Sequence, residues 1–597
     1  MAFWLTGYSQ NNPISYRDKY KLNLDARITK DTTSYPFITN VASTQMFFIK
    51  PVQDKDGNYG EAFTPNPMHS SLRKIIRRRI LLPDLSDKKE GNVSLGVKGN
   101  GLKLLTMKIQ GLDFRETVLF NDTLTFVPDT TFSRLQGNYP LENVGMLDIT
   151  IDIEGEKNQK ASFVFSGLDI QMDGKLINDM PFLEIPEVET DRKQLVSISD
   201  SADIEFDKVK AFQDKKIIGL GESLHHHADL NRFAFRLMEE AVRTVNCKVL
   251  AVEIPIEKSL FYNRYISDAS FTLPADLFSD SANKDYLPLL DNLRRHNLTC
   301  PPNERVILLG MDYHTSLNKD SNSLVDLFDF LCSLNKNHHR KEADYFALML
   351  YDNKPDEALE YLKSHRKELG EVVTSDELKC MEHILSFTTS LSDNPVTRMN
   401  IRDSIMAENL AFIEQNFAPG KDEKIMVRGH SLHLNRISAY PIDNYRSAGS
   451  YLQERYGTLY APFLLVTEGG HHYSNNTLIG IIIYNKLLHP CSGSIESALA
   501  HTSQTSCYLP ITEEHDRIVW SRLIVNPDQG GFNFYPSNLF QRYDGVFYVK
   551  AEKALDVPSK RSNDEVIKDL GEKLDRIKRI NDERKSLADE IRKRCGP

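Results

Sequence analysis

The sequence predicts a multidomain chain in which an N-terminal antiparallel β-sandwich or jelly roll precedes an α/β domain, a mostly parallel sheet flanked by helices. A helical insertion and a charged amphipathic C-terminal helix complete it. Three observations lead there. At 597 residues the chain exceeds one folding unit of about 100 to 200 residues. Runs rich in β-branched and aromatic residues, cut by Gly, Asn and Asp, fill the first 180 residues. Beyond about residue 205, apolar runs alternate with segments of helical spacing.

Residues 1–180 read as the sandwich, with strands at Met46–Ile49, Leu104–Ile109, Met146–Ile153 and Ser162–Ile170. In LDITIDI apolar and polar residues alternate strictly, which puts one face in a core and the other in water. The cluster Arg73-Lys74-Ile75-Ile76-Arg77-Arg78-Arg79 is expected to be a solvated strand or edge whose charge opposes aggregation, with an anion contact as the alternative. Residues 181–204 are polar, proline-containing and weakly periodic, and are expected to be a linker crossed by few contacts. Residues 205–557 form the α/β domain, within which 316–420 is mainly helical in spacing, as an insertion or lid. Residues 558–597 are highly charged and carry Val566, Leu570, Ile577, Ile580, Leu587 and Ile591 at helical spacing. That helix either docks on the body or pairs two chains as a homodimer.

Lys plus Arg total 73 against 83 Asp plus Glu, a net charge of −10, so the overall field repels polyanions and gives no expectation of nucleic acid. No run reaches the roughly 18 to 20 apolar residues of a membrane-spanning helix. The first residues carry no basic, apolar secretory pattern, which predicts a cytoplasmic chain as given, or an exported one if a signal has been removed. Seven scattered cysteines without a CxxC argue against a disulfide scaffold and a structural zinc site.

Four predicted strands end in ionisable residues: KIIGL runs into Gly221-Glu222-Ser223-Leu224-His225, VLAV into Glu253, VILLGM into Asp312, and IMVR into Gly429-His430-Ser431-Leu432-His433. In an open α/β sheet the carboxyl ends of the strands border the ligand crevice, so these four ends are expected to converge. Gly219 and Gly221 are expected to allow a tight turn, and the helix that follows buries Leu230, Phe233, Ala234, Leu237 and Met238. Its other stripe, His225, Asp229, Arg232 and Arg236, either faces solvent in Asp–Arg pairs or lines the crevice as substrate-binding residues. A histidine takes a proton from water near neutral pH when a carboxylate orients it. Glu222 stands three residues before His225, with Glu253 as a second carboxylate. No GxSxG elbow occurs, so water is the simpler nucleophile. His225-His226-His227 with His430, His433, His471 and His472 leaves a metal-dependent hydrolase as an alternative, although neither HExxH nor CxxC is present.

These segments resemble the erythromycin esterase family. GLGESLHHHADLNRFAFRLMEEA is similar to its GE-x-x-H strand-to-helix motif, LAVEIP to its glutamate strand, VILLGMDYH to its G-x-D strand, and KIMVRGHSLHLNR to its H-x-x-H segment. RDSIMAENL, GSYLQERYGTLYAPFLLVTEGG, SGSIESALA and FQRYDGVFYV continue the likeness in order over about residues 200–555. The resemblance implies hydrolysis of a carboxylic ester or lactone, with no metal and no cofactor. It implies His225 as general base, Glu222 and Glu253 as its polar partners, and His430 and His433 as further catalytic residues. Asp312, with Asp229, Arg232 and Arg236, is expected on the substrate side. The family's helix arginine, nine residues past the histidine, is Ala234 here, its glutamate is Asp229, and its glycine is His226, which puts macrolide specificity in doubt. The N-terminal 180 residues lie outside the likeness and weakly resemble accessory domains of bacterial polysaccharide-related enzymes, so glycan contact is a further expectation. A non-catalytic ligand- or glycan-binding protein is the alternative outside enzymes.

Overall fold

The computed structural model describes residues 38–39, 47–65, 73–83, 89–156, 159–181, 195–198, 209, 212–225, 227–274, 286–313, 324–336, 338–386, 395–438, 445–476, 481–486, 490, 493–502, 504–511, 518–522, 535–551 and 563–596. Most of the expected linker, residues 182–194 and 199–204, lies outside the described residues.

The N-terminal region is antiparallel β-structure in two sheets. One has the order 38–39, 73–81, 146–155, 102–112, 118–126, and the other 47–53, 59–65, 161–172, 90–100, 133–140. Alternation explains their shared core: Leu105, Met107, Ile109, Ile149, Ile151 and Ile153 of the first sheet cluster with Val93, Leu95, Val97, Phe163 and Phe165 of the second. Ile518 and Trp520, from far along the chain, are buried in the same cluster. The basic strand Arg73–Leu81 pairs on both sides rather than forming an edge. Arg79, expected in solvent, is fully buried between Asp148 and Glu116, because it lies on the face opposite the shared core, covered by Tyr535 and Pro536, and two carboxylates neutralise it.

The second region is built on an eight-stranded sheet. Its strands are β1 (Val196–Ser197), β2 (Ile217–Glu222), β3 (Cys247–Pro255), β4 (Ile307–Asp312), β5 (Lys424–His430), β6 (Tyr460–Val466), β7 (Ser506–Pro510) and β8 (Gly545–Val549). They lie in the order β1-β7-β8-β6-β2-β5-β3-β4, and every pair from β8 to β4 is parallel. Helices cover both faces, which is why β2, β5 and β6 are buried along their whole length and mostly apolar, with Lys424, Arg428 and His430 of β5 and Glu222 of β2 as the charged or titratable exceptions. Ile217, Val249 and Ala251 face the core of the helical region, and Ile218, Leu220, Leu250 and Val252 face the opposite core with helix α1 (Ala228–Thr244).

The described residues between 324 and 417 are mainly helical, ending in α2 (Pro395–Phe417). Asn409 of α2 donates to the Met311 carbonyl at 2.9 Å, pinning this helix beside the end of β4. The C-terminal helix α4 (Asn563–Cys595) docks its last turns through Ala588, Ile591 and Cys595, with Arg584 on Asp329 and Arg594 on Asp344. Leu574 and Ile577, farther up α4, are exposed. Among the described residues no helix is long and apolar enough to cross a membrane.

Candidate active site

Adjacent parallel strands without a register shift bring equivalent residues side by side. Glu222, last in β2, is paired with His430, last in β5. Glycines permit this packing by close approach rather than by turn geometry: a Cβ on Gly221 would stand 3.0 Å from Ser431 Cα, and one on Gly429 would stand 3.1 Å from Glu253 Oε2. The His-bearing helix α3 (Ser431–Leu434) therefore lies against β2, and the Glu253 carboxylate sits against β5.

His225 lies in the turn before α1 rather than on its first turn, because His227 caps that helix and Ala228 begins it. Its Nδ1–H donates to Glu222 Oε1 at 2.8 Å, leaving Nε2 as the basic atom, and about half of the side chain is exposed. Glu222 is itself buried, and its other oxygen accepts from Arg428, which also reaches Asn231 and donates to Tyr286 Oη at 3.0 Å. Burial alone would raise the Glu222 pKa, but Arg428 and the His225 bond outweigh it and bring it down to about 2. Burial alone would lower the His225 pKa, yet the Glu222 bond, with the charges of Glu253 and Glu222, raises it above the ordinary histidine value.

His430 is displaced the other way. Its ring centroid lies 4.4 Å from that of His225, and burial together with the neighbouring His225 pushes its pKa down to about 3. Its Nδ1 accepts the Leu432 backbone N–H at 3.1 Å, so the proton of the neutral ring is on Nε2.

Beside this pair lies a second group that sequence reasoning found only in part. Glu253, expected to partner His225, directs its oxygens elsewhere: Oε2 accepts the His430 backbone N–H at 2.6 Å, and Oε1 accepts Arg402 at 3.0 Å. Its influence on His225 is electrostatic. Arg402 of α2 also grips Asp312 through Nε at 2.8 Å and Nη2 at 2.7 Å, and donates from Nη1 to His433 Nε2 at 3.0 Å. His433 Nδ1–H donates to buried Asp403 at 2.8 Å. Burial opposes charge on His433, but Asp403 and Glu253 prevail and raise its pKa. Arg402, Asp403 and Arg428 carried no role in the sequence reading. Arg428 had a signal, since an arginine inside a wholly buried strand requires a carboxylate partner.

The remaining expected residues are placed less centrally. Asp229 accepts Arg232 at 2.7 Å, and the Arg232 side chain is 61% exposed, the geometry of a pair on the solvent side of α1. Arg236 is partly buried on the same helix, and Ala234 is fully buried in its core. His227 is structural: Nδ1 accepts from Leu230 N, and Nε2–H donates to the Gly469 carbonyl at 2.9 Å. His226 and the side chains of His471 and His472 lie outside the described residues. Among the described residues no three His, Cys, Asp or Glu side chains are grouped to hold a metal ion.

Comparison with known proteins places a match to the family described as erythromycin esterase over residues 242–551. Glu253, Asp312, Arg402, His430 and His433 lie inside that stretch, and Glu222 and His225 precede it. A Bacillus subtilis (strain 168) protein named "Putative hydrolase YbfO" is 22% identical over 407 residues, covering 59% of this chain and 87% of that protein. A crystal structure of a Bacillus cereus protein matches at 16% identity and a TM-score of 0.45, over 60% of this chain and 95% of that one. A mutant of the erythromycin esterase EreC in its open conformation matches at 16% identity and a TM-score of 0.40, over 59% and 96%.

Proposed function

Because the chain belongs to the erythromycin esterase family and is thereby an ester-hydrolysing enzyme, we propose that it cleaves a carboxylic ester or lactone with water activated by His225. The observation that carries this reading is the opposite displacement of two neighbouring imidazoles, His225 upward and His430 down to about 3, with ring centroids 4.4 Å apart. Titratable neighbours pushed apart in pKa mark a division into proton acceptor and neutral donor.

In this mechanism His225 Nε2 takes a proton from water as the water oxygen attacks the acyl carbon. Glu222, held ionised by Arg428, stabilises the resulting imidazolium through Nδ1–H. The neutral His430 Nε2–H donates to the oxyanion that develops on the carbonyl oxygen. Collapse of the tetrahedral intermediate breaks the acyl–oxygen bond, and the proton on His225 passes to the departing alkoxide. An ester yields a carboxylic acid and an alcohol, and a lactone one hydroxy acid. Arg402 holds Asp312, Glu253 and His433 in fixed relation beside the reacting pair. Turnover of a panel of simple esters and lactones by the full-length protein tests the reading. Cleavage of at least one is expected, and a folded protein that cleaves none contradicts it.

A further inference from the structure

A carboxylate from the N-terminal β region is built into the scaffold of the histidine segment. The side chain of Glu116 is fully buried, and the residue adopts φ +65°, a left-handed conformation uncommon for a residue with a Cβ, within the turn Asp113–Thr117. Its Oε2 accepts Arg79 at 2.9 Å, its Oε1 accepts Arg542 Nε at 3.1 Å and the Asn538 backbone N–H at 2.7 Å, and Arg542 Nη2 completes the grip. Asp148 balances Arg79, so two carboxylates and two arginines neutralise each other inside the protein. Arg542 continues toward the active site. Its Nη1 donates to Asn435 Oδ1 at 3.1 Å and to the Ile437 carbonyl at 2.9 Å. With its oxygen held there, the Asn435 amide turns its Nδ2 toward α3 and donates to the Ser431 and Leu432 carbonyls, each at 2.8 Å. Helix α3 has only four residues, too short to hold its shape alone.

We propose that Glu116 is a positioning residue for the active site, acting through Arg542 and Asn435 on the helix that carries His433. The inference rests on the assignment of His433 to that site. Without Glu116 the guanidinium of Arg542 loses the carboxylate that fixes its Nε and Nη2, its hold on the Asn435 amide loosens, and the 2.8 Å bond from His433 to Asp403 loses geometric support. The N-terminal region is then part of the catalytic apparatus and not only an attachment.

The test uses the full chain with ring-labelled histidines and follows the His433 resonance, identified by its loss in His433→Asn, across the pH range. The groups facing His433 are Asp403, Arg402, Glu253, Tyr445 and His430, and each remains in every variant. Asn435→Ala and Glu116→Gln are expected to displace the His433 midpoint by about 0.5 unit or more. Both are also expected to lower kcat on p-nitrophenyl acetate about tenfold at little-changed KM. Asp148→Asn disturbs the same buried charges without touching the Asn435 link, and is expected to keep the wild-type midpoint. Should Glu116→Gln fail to fold, Asn435→Ala decides alone. A folded Asn435→Ala protein with the wild-type midpoint overturns the proposal, as does an equal displacement in Asp148→Asn. A displaced midpoint in a protein that hydrolyses nothing supports the positioning and rejects the hydrolase reading.

Discussion

Glu222 and His430 occupy paired positions at the carboxyl ends of two adjacent parallel strands, and His225 reaches both, bonding the carboxylate of one and lying 4.4 Å from the ring of the other. The strand register sets the spacing of Glu222 and His430, and the bond to Glu222 holds His225, which lies in the turn after β2, against this frame.

The first expected consequence concerns pH. A general base works in its neutral form, so hydrolysis rises as pH climbs through the His225 pKa, which the Glu222 bond raises above 6.5. In Glu222→Gln that support is gone, and burial, with Arg428 nearby, favours the neutral ring. The acid limb of kcat/KM is expected to move to lower pH while the plateau falls. An unmoved limb in a folded variant would contradict the pairing.

Arg402 is the counter-charge for both Glu253 and Asp312. Arg402→Met leaves two nearly buried carboxylates together without it, and breaking such a pair costs about 3 kcal/mol or more. Denaturant unfolding should show that loss, and kcat should fall with it. Arg402→Lys restores charge without the fork onto Asp312 and should recover only part of both.

Acid stability is a second pH effect. The Glu116 carboxyl is opposed by burial but held by Arg542 and Arg79 at about 2, below its unfolded value near 4.5. A depressed folded pKa contributes stability that is present above pH 4.5 and lost as pH falls through 2. Glu116→Gln is expected to be less stable than wild type at pH 7, with the difference narrowing as pH falls over that window. A difference independent of pH would contradict the ion-pair role.

The N-terminal region is not expected to be dispensable. A chain starting near Ser197 loses Glu116, which leaves Arg542 buried without a carboxylate, and uncovers Ile518 and Trp520. Aggregation or inactivity is expected. A soluble truncation with wild-type turnover would show that the contacts between the regions are incidental.

Much of the site was legible because apolar strands ending in Glu222, Glu253, Asp312 and His430 announce where the crevice must lie. The bond from His225 to Glu222 follows from a spacing of three residues. Arg402 and Asp403 open the quoted segment RDSIMAENL, yet no role was read for them, because helical spacing says nothing about which turn faces a distant strand. Glu116 and Arg542, over 400 positions apart, carry no mutual pattern, and the polar stretch after residue 181 suggested a free boundary where buried charges in fact join the two regions. Gly221 was read for a turn, but it and Gly429 serve close approach, which only the packing reveals.

The most direct test of the central claim is hydrolysis of one ester or lactone by wild-type and His225→Ala proteins compared at the same pH, with folding checked by circular dichroism and thermal unfolding. Loss of a positioned general base lowers the rate by about 10² to 10⁴, and His225 is a half-exposed side chain whose removal leaves the core intact. A folded variant whose turnover falls by that factor is the expected result; one that turns over at the wild-type rate contradicts the assignment of His225 as the base.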